Sequence, residues 1–173
     1  LTLRNPLNTP STLNFPDKQV KAGSNKVTTT YGKENLVVEA VKPAAVNLKD
    51  SKWSPEYNLL KENLRAEFAV SIKCLHSFIT ALYFTGQNKT TVTQIPVYYR
   101  NNVKLNDSIV EAVEVKCGDK ESLVMVMNNR QSPKPVFYKI KGLYLTGEVV
   151  MFEKDNDHYI RHIRVGCCRQ RCY

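Results

Sequence analysis

Histidine is scarce in this chain: His76, His158 and His162 are the three in 173 residues, so few side chains can act as a general base near neutral pH. Seven glycines are scattered, and none completes G-x-x-x-x-G-K or G-x-G-x-x-G, so no phosphate-cradling loop is encoded. Neither G-x-S-x-G nor H-E-x-x-H occurs, which removes the usual serine-hydrolase and zinc-peptidase signatures. No apolar run approaches the roughly 18 residues of a spanning helix. The opening residues LTLRNPLNTP lack the apolar segment of a secretory signal, and position 1 is Leu. A processed mature product or a piece of something longer is therefore expected, since a removed signal would leave the same appearance. Repeats, heptads and low-complexity tracts are missing too, which argues against solenoids and coiled coils.

What is present begins with charge. Twenty-five Lys and Arg against 16 Asp and Glu give a formal charge of +9, a field that draws the molecule toward nucleic acid, anionic membranes, glycans or acidic proteins without choosing among them. At 173 residues the chain is long enough to bury a core without metals or disulfides.

The patterning predicts a mainly β protein: a single-domain antiparallel β-sandwich or small barrel of about eight strands with one short α-helix. Residues 1–25, with Pro6, Pro10 and Pro16 among Asn, Thr and Ser, read as an extended N-terminal arm. Residues 26–173 read as the folded domain with a Cys-rich basic tail. KVTTTYGKENLVVEAV suggests two strands about a turn at Gly32. WSPEYNLLKENLR carries the helix signal: Ser54 as cap, Pro55 at the first helical position, and Tyr57, Leu60 and Leu64 on one face. From Ala66 a two-residue period takes over, with Phe68, Val70, Ile72 and Cys74 inward. Pro96 in TTVTQIPVYYR marks an edge strand or bulge. SIVEAVEVKC and SLVMVMN form a hairpin through Gly118-Asp119-Lys120, with Glu111 and Glu114 read as solvated. KPVFYKIKGLYL slips phase at Gly142 as a bulge would. EVVMFEKDNDHYIRHIRV closes with a hairpin around Asp155-Asn156-Asp157.

Candidate site residues gather at the C-terminus, where HYIRHIRVGCCRQRCY holds two histidines, three cysteines and four arginines. As a metal site it reads poorly. His158 and His162 on a strand are separated by roughly 13 Å, the C-x-x-C spacing is missing, and no metal ligand set is assigned. As a disulfide cluster it reads better: Cys167, Cys168 and Cys172 could reach Cys74 or Cys117. Five cysteines are an odd number, which leaves one thiol free or available for an oligomer. Cys74 and His76 share a strand face and could pair, though a buried thiol beside a hydrogen-bonded imidazole is the plainer reading. Asn88-Lys89-Thr90 and Asn106-Asp107-Ser108 are glycosylation sequons in expected turns. Lys139, Lys141, Arg161, Arg164, Arg169 and Arg171 outline a basic patch, with Tyr138, Tyr144, Tyr159 and Tyr173 among them.

Together these features predict a protein without catalysis or cofactor that works through its surfaces. The first expectation is a secreted or surface-displayed interaction or assembly protein, of viral or parasite type, engaging a protein partner through its sheet surface, arm and tail. The alternative is a basic, OB-like nucleic-acid-binding barrel in the cytoplasm, neutralising phosphates and stacking bases.

Overall fold

The computed structural model describes residues 2–4, 11–69, 77–86, 88–128, 136–155 and 158–165. Every regular element among them is a strand, sixteen in all, and the sheets are antiparallel. The chain divides into two compact units, Leu1–Thr90 and Thr91–Tyr173.

The first unit holds β1 (Thr2–Arg4), β2 (Ser11–Phe15), β3 (Val20–Gly23), β4 (Lys26–Thr29), β5 (Leu36–Ala40), β6 (Ala45–Glu56), β7 (Leu59–Ala69) and β8 (Ser77–Phe84). They form a five-stranded sheet, β1-β8-β5-β4-β3, and a three-stranded sheet, β2-β7-β6. Val27 and Val38 from the first sheet share one apolar cluster with Phe15, Ala66 and Phe68 from the second. The rings of Phe68 and Phe78 lie 6.1 Å apart at 60°, an edge-inclined contact that adds to the area each buries. Burying a phenylalanine such as Phe68, which is almost fully enclosed, contributes about 1.5–3 kcal/mol.

The second unit opens with β9 (Thr90–Ile95), which starts at the division, and continues with β10 (Tyr98–Tyr99), β11 (Val110–Cys117) and β12 (Lys120–Met127). β13 (Tyr138–Ile140), β14 (Leu143–Leu145), β15 (Val149–Asp155) and β16 (His158–Val165) complete it. Its sheets are β16-β15-β12-β11-β9 and β10-β13-β14. Ala112, Met125 and Val150 from one sheet cluster with Tyr138, Ile140 and Leu145 from the other.

Six strands of each unit follow one plan that the sequence does not show as a repeat. In each, a hairpin in the five-stranded sheet (β4–β5, β11–β12) is followed by a hairpin in the three-stranded sheet (β6–β7, β13–β14). The next strand then returns antiparallel to the second strand of the first hairpin (β8 on β5, β15 on β12). A fifth strand flanks the return, supplied by the start of the chain as β1 on β8 and by its end as β16 on β15.

Several expectations are corrected here. The helix at 54–64 is not formed, and those residues belong to the β6–β7 hairpin, closed at Tyr57-Asn58 with Asn58 at φ 61°. Asn tolerates the left-handed region that ends the hairpin. The register slips between Trp53 and Glu56, which brackets Pro55 at the irregularity where its missing N–H is tolerated. A helix there would have had only Tyr57, Leu60 and Leu64 to bury, whereas β7 pairs with β6 from Leu59 to Ala69 and also with β2 from Leu64 to Phe68, which satisfies its backbone groups in the ladder. Gly142 marks no bulge: Lys141 (φ 48°) and Gly142 (φ 84°) are the two-residue turn between β13 and β14, where both central residues need positive φ. Residues 26–173, expected as one domain of about eight strands, are divided at Thr90/Thr91 and hold thirteen of the sixteen strands; no barrel is closed among the described residues. The described part of residues 1–25 carries β1, β2 and β3, and β2 is no free arm: it is paired along β7 and places Phe15 in the core.

Candidate functional site

The first unit carries an apolar cleft of about 390 Å³, within the usual size of a ligand-binding pocket, about 300–1,000 Å³. Strand register builds it. Leu36 lies opposite Phe84 and Val38 opposite Leu82 on β5 and β8, so four apolar side chains share one sheet face. Leu13 and Phe15 of β2 line the other side. Deeper in, Val38 and Phe15 merge with the core. At the mouth Leu82 is half-exposed and Phe84 is 67 % exposed, an arrangement that leaves apolar surface in water.

The mouth is held by local polar contacts. Asn35 Oδ1 accepts the Tyr31 backbone N–H at 2.7 Å, and Asn35 Nδ2 donates to the Gly32 carbonyl at 2.8 Å. Thr29 Oγ1 accepts the Leu36 N–H at 2.8 Å. The Tyr31 hydroxyl donates to Asp17 at 3.3 Å; partial desolvation, and then the Asp17 carboxylate, hold that phenol above its ordinary pKa. Glu34 also lines the cleft. Lys18, next to Asp17, is turned to Glu62 at 2.8 Å and Asp50 at 3.3 Å. Its hydrogen bond to Glu62 raises the ammonium pKa and lowers that of the carboxylate. The same pairing recurs where Lys49 and Arg65 hold Glu67 below the usual carboxylate range, Lys49 most strongly.

In the second unit the outward face of the three-stranded sheet differs in kind. Tyr98 pairs with Lys139, and Lys139 with Tyr144, while Tyr98 also bridges Lys104 across the turn through Asn102, which sits at φ 64°. Facing pairs on an antiparallel ladder project to the same side. The row across the sheet is therefore Lys104, Tyr98, Lys139, Tyr144. Tyr99 and Tyr138 occupy the opposite face, stacked at 6.5 Å and 20°, and burial pushes the Tyr138 phenol pKa up. Lys139 Nζ donates to Asn102 Oδ1 at 2.7 Å and lies 6.0 Å from the centre of the Tyr144 ring.

The sequence-derived candidates scatter over the fold. Of the basic patch, Lys139 is on the face just described. Lys141 is held by Glu114 and by Glu121, at 3.0 Å from the latter, so it is not a free cation. Arg161 and Arg164 lie on β16 opposite Glu153 and Val150; Arg169 and Arg171 are outside the described residues. Tyr138, counted with that patch, is buried, and Tyr173 is outside the described residues. Glu111 and Glu114, read as solvated, are both buried: the strand β11 packs on both faces, and the two charges are accommodated by partners such as Lys141 and Lys116 for Glu114. Cys117 ends β11 as an exposed free thiol. Cys74, His76, Cys167, Cys168 and Cys172 are outside the described residues, as is the tip of the β15–β16 hairpin at 156–157. Asn88 and Asn106 are exposed, and Asn106 Oδ1 accepts the Ser108 N–H at 2.9 Å. Among the described residues no group of three or more His, Cys, Asp or Glu is placed to hold a metal ion, and no helix is long and apolar enough to cross a membrane.

Compared with family models, with curated proteins and with solved structures, the chain matches none of them.

Proposed function

We propose that the protein is a non-enzymatic interaction or assembly protein that binds a protein partner by seating an apolar side chain of that partner in the cleft of the first unit. One observation carries this reading: Leu82 and Phe84 stand exposed at the rim of a preformed apolar cavity. Exposed apolar surface around a cavity costs free energy in water unless something covers it. The rim selects further. Glu34 and the Tyr31–Asp17 pair are acidic features on a chain of net charge +9, so the preferred segment carries Lys or Arg next to its apolar residue.

Each unit, on this reading, is a small β-sandwich, supported by apolar clusters that draw on both of its sheets. The extracellular or surface-displayed setting, with viral or parasite origin, belongs to the same proposal and is supported by the exposure of Asn88 and Asn106 in their sequons. The terminal cysteines then serve as structural or assembly thiols.

Peptide display on the purified full chain tests the cleft. Wild type should enrich peptides with an apolar residue flanked by Lys or Arg, and Leu82→Asp with Phe84→Asp should enrich none of them. If the double variant, shown to be folded by circular dichroism, enriches the same peptides, or if wild type yields no consensus, the cleft is not the binding site.

A further inference from the structure

We propose that the outward face of the β10–β13–β14 sheet binds single-stranded nucleic acid through the row Lys104, Tyr98, Lys139 and Tyr144. It uses the second unit alone and does not depend on the cleft.

The inference starts from register. Cross-strand pairing fixes the order along the row as cation, ring, cation, ring. With neighbouring strands about 4.8 Å apart, like groups recur at roughly 10 Å. The rings are available: Tyr144 is 53 % exposed, and Tyr98 is half-buried. So are the charges. Among the described residues neither Lys104 nor Lys139 has a carboxylate at ion-pair distance, whereas Lys141, in the turn that follows β13, is committed to Glu114 and Glu121. Lys139 donates one hydrogen bond, to Asn102, and keeps its remaining N–H donors for a phosphate.

Chemistry then narrows the occupant. A sulfated glycan offers charge to the lysines and no aromatic plane to the tyrosines. A neutral apolar partner would use the rings and leave the ammonium groups unpaired. A duplex keeps its bases stacked inside. A single strand presents planar bases and phosphates in alternation, and base–tyrosine stacking with phosphate neutralisation is how sheet surfaces hold such strands. Arg100, exposed in the turn after β10, extends the cationic margin.

The test is fluorescence anisotropy of a labelled twelve-residue oligothymidylate with the full chain over a series of salt concentrations. Saturable binding that weakens with salt is expected. Tyr144→Ala should weaken it by about tenfold without changing the salt slope, and Tyr144→Phe should bind like wild type. Lys139→Gln should reduce the slope by about 0.7, the value for one phosphate contact on a single strand. A labelled heparin fragment separates stacking from charge: Tyr144→Ala should leave its affinity unchanged. Leu82→Asp with Phe84→Asp should leave oligothymidylate binding unchanged, which keeps this result distinct from that of the cleft. The proposal is overturned if wild type shows no saturable binding at low salt, if Tyr144→Ala and Lys139→Gln both bind like wild type, or if Tyr144→Ala weakens heparin and oligothymidylate equally.

Discussion

The two units share a plan in six strands each; they differ in where the third strand of the smaller sheet pairs, β2 on β7 against β10 on β13, and in the hairpin that each sends to that sheet. In the first unit β6 and β7 are 12 and 11 residues long; in the second β13 and β14 have three residues each. The long hairpin runs past the core, and its tip displays Tyr57, Leu59 and Leu60, with Tyr57 94 % exposed. The short one turns at once through Lys141 and Gly142, and its outward face is a compact row of rings and ammonium groups. One plan thus serves two surfaces, because sheet connectivity is set by the buried faces while the outward positions are free to vary. The first unit exposes an apolar cleft; the second exposes cations and aromatic planes.

Breaking either core should have the largest consequence. Deleting residues 1–20 removes β1 and β2, and with them Phe15. Loss of a buried phenylalanine alone costs about 3–5 kcal/mol. Denaturation followed by the fluorescence of Trp53, the single tryptophan, should therefore shift by at least that amount. An unchanged midpoint would return residues 1–25 to the status of a dispensable arm. In the second unit Met125 is fully buried, and Met125→Ala should cost about 2–5 kcal/mol, read as lost hydrogen-exchange protection over 110–127.

The hairpin contrast is sharpened at Asn58, whose φ of 61° suits few residues. Asn58→Ala should destabilise by about 1 kcal/mol and Asn58→Gly by less, measured as urea midpoints. Alkaline pH probes the first unit from another side. The Tyr83 hydroxyl donates to Glu39 at 2.5 Å, and burial, then that carboxylate, push its pKa well above the ordinary 10.0. The folded state holds this proton more tightly than the unfolded chain does. Its contribution is therefore complete below about pH 10 and is lost as pH rises beyond it. Stability should fall more steeply between pH 9 and 11 in wild type than in Tyr83→Phe; equal slopes would remove Tyr83 from the balance. The smallest effect belongs to Cys117→Ser, which at an exposed free thiol should stay within about 0.5 kcal/mol by thermal melting.

Local signals in the sequence were legible where the chain closes on itself over a short distance. The β4–β5 pair around Gly32 and the β11–β12 hairpin at Gly118-Asp119 form as their β-branched runs and turn residues imply. Ser54-Pro55-Glu56 imitated a helix start because capping chemistry is also turn chemistry, and Ser54 Oγ instead donates to the Glu56 carbonyl. Strand β6 was not anticipated, since AVNLKDSKW is polar at most positions and gains its place from pairing with β7. Both surfaces depend on distant partners. Lys139 and Tyr144 could be picked out as neighbours in sequence, but Tyr98 and Lys104 join them only through the pairing of β10 with β13. Leu36 and Val38 meet Phe84 and Leu82 only when β8 returns beside β5. No periodicity within a single strand encodes such registers.

Hydrogen exchange on the full chain, with each probe in turn, tests most directly the claim that one strand plan carries two separate surfaces. A neutral naphthylamine dye should slow exchange at 13–16, 29–38 and 82–84, and a twelve-residue oligothymidylate at 98–104 and 137–144, with neither set responding to the other probe. Both probes protecting the same segments, or the dye protecting 98–104 and the oligonucleotide 82–84, would contradict it.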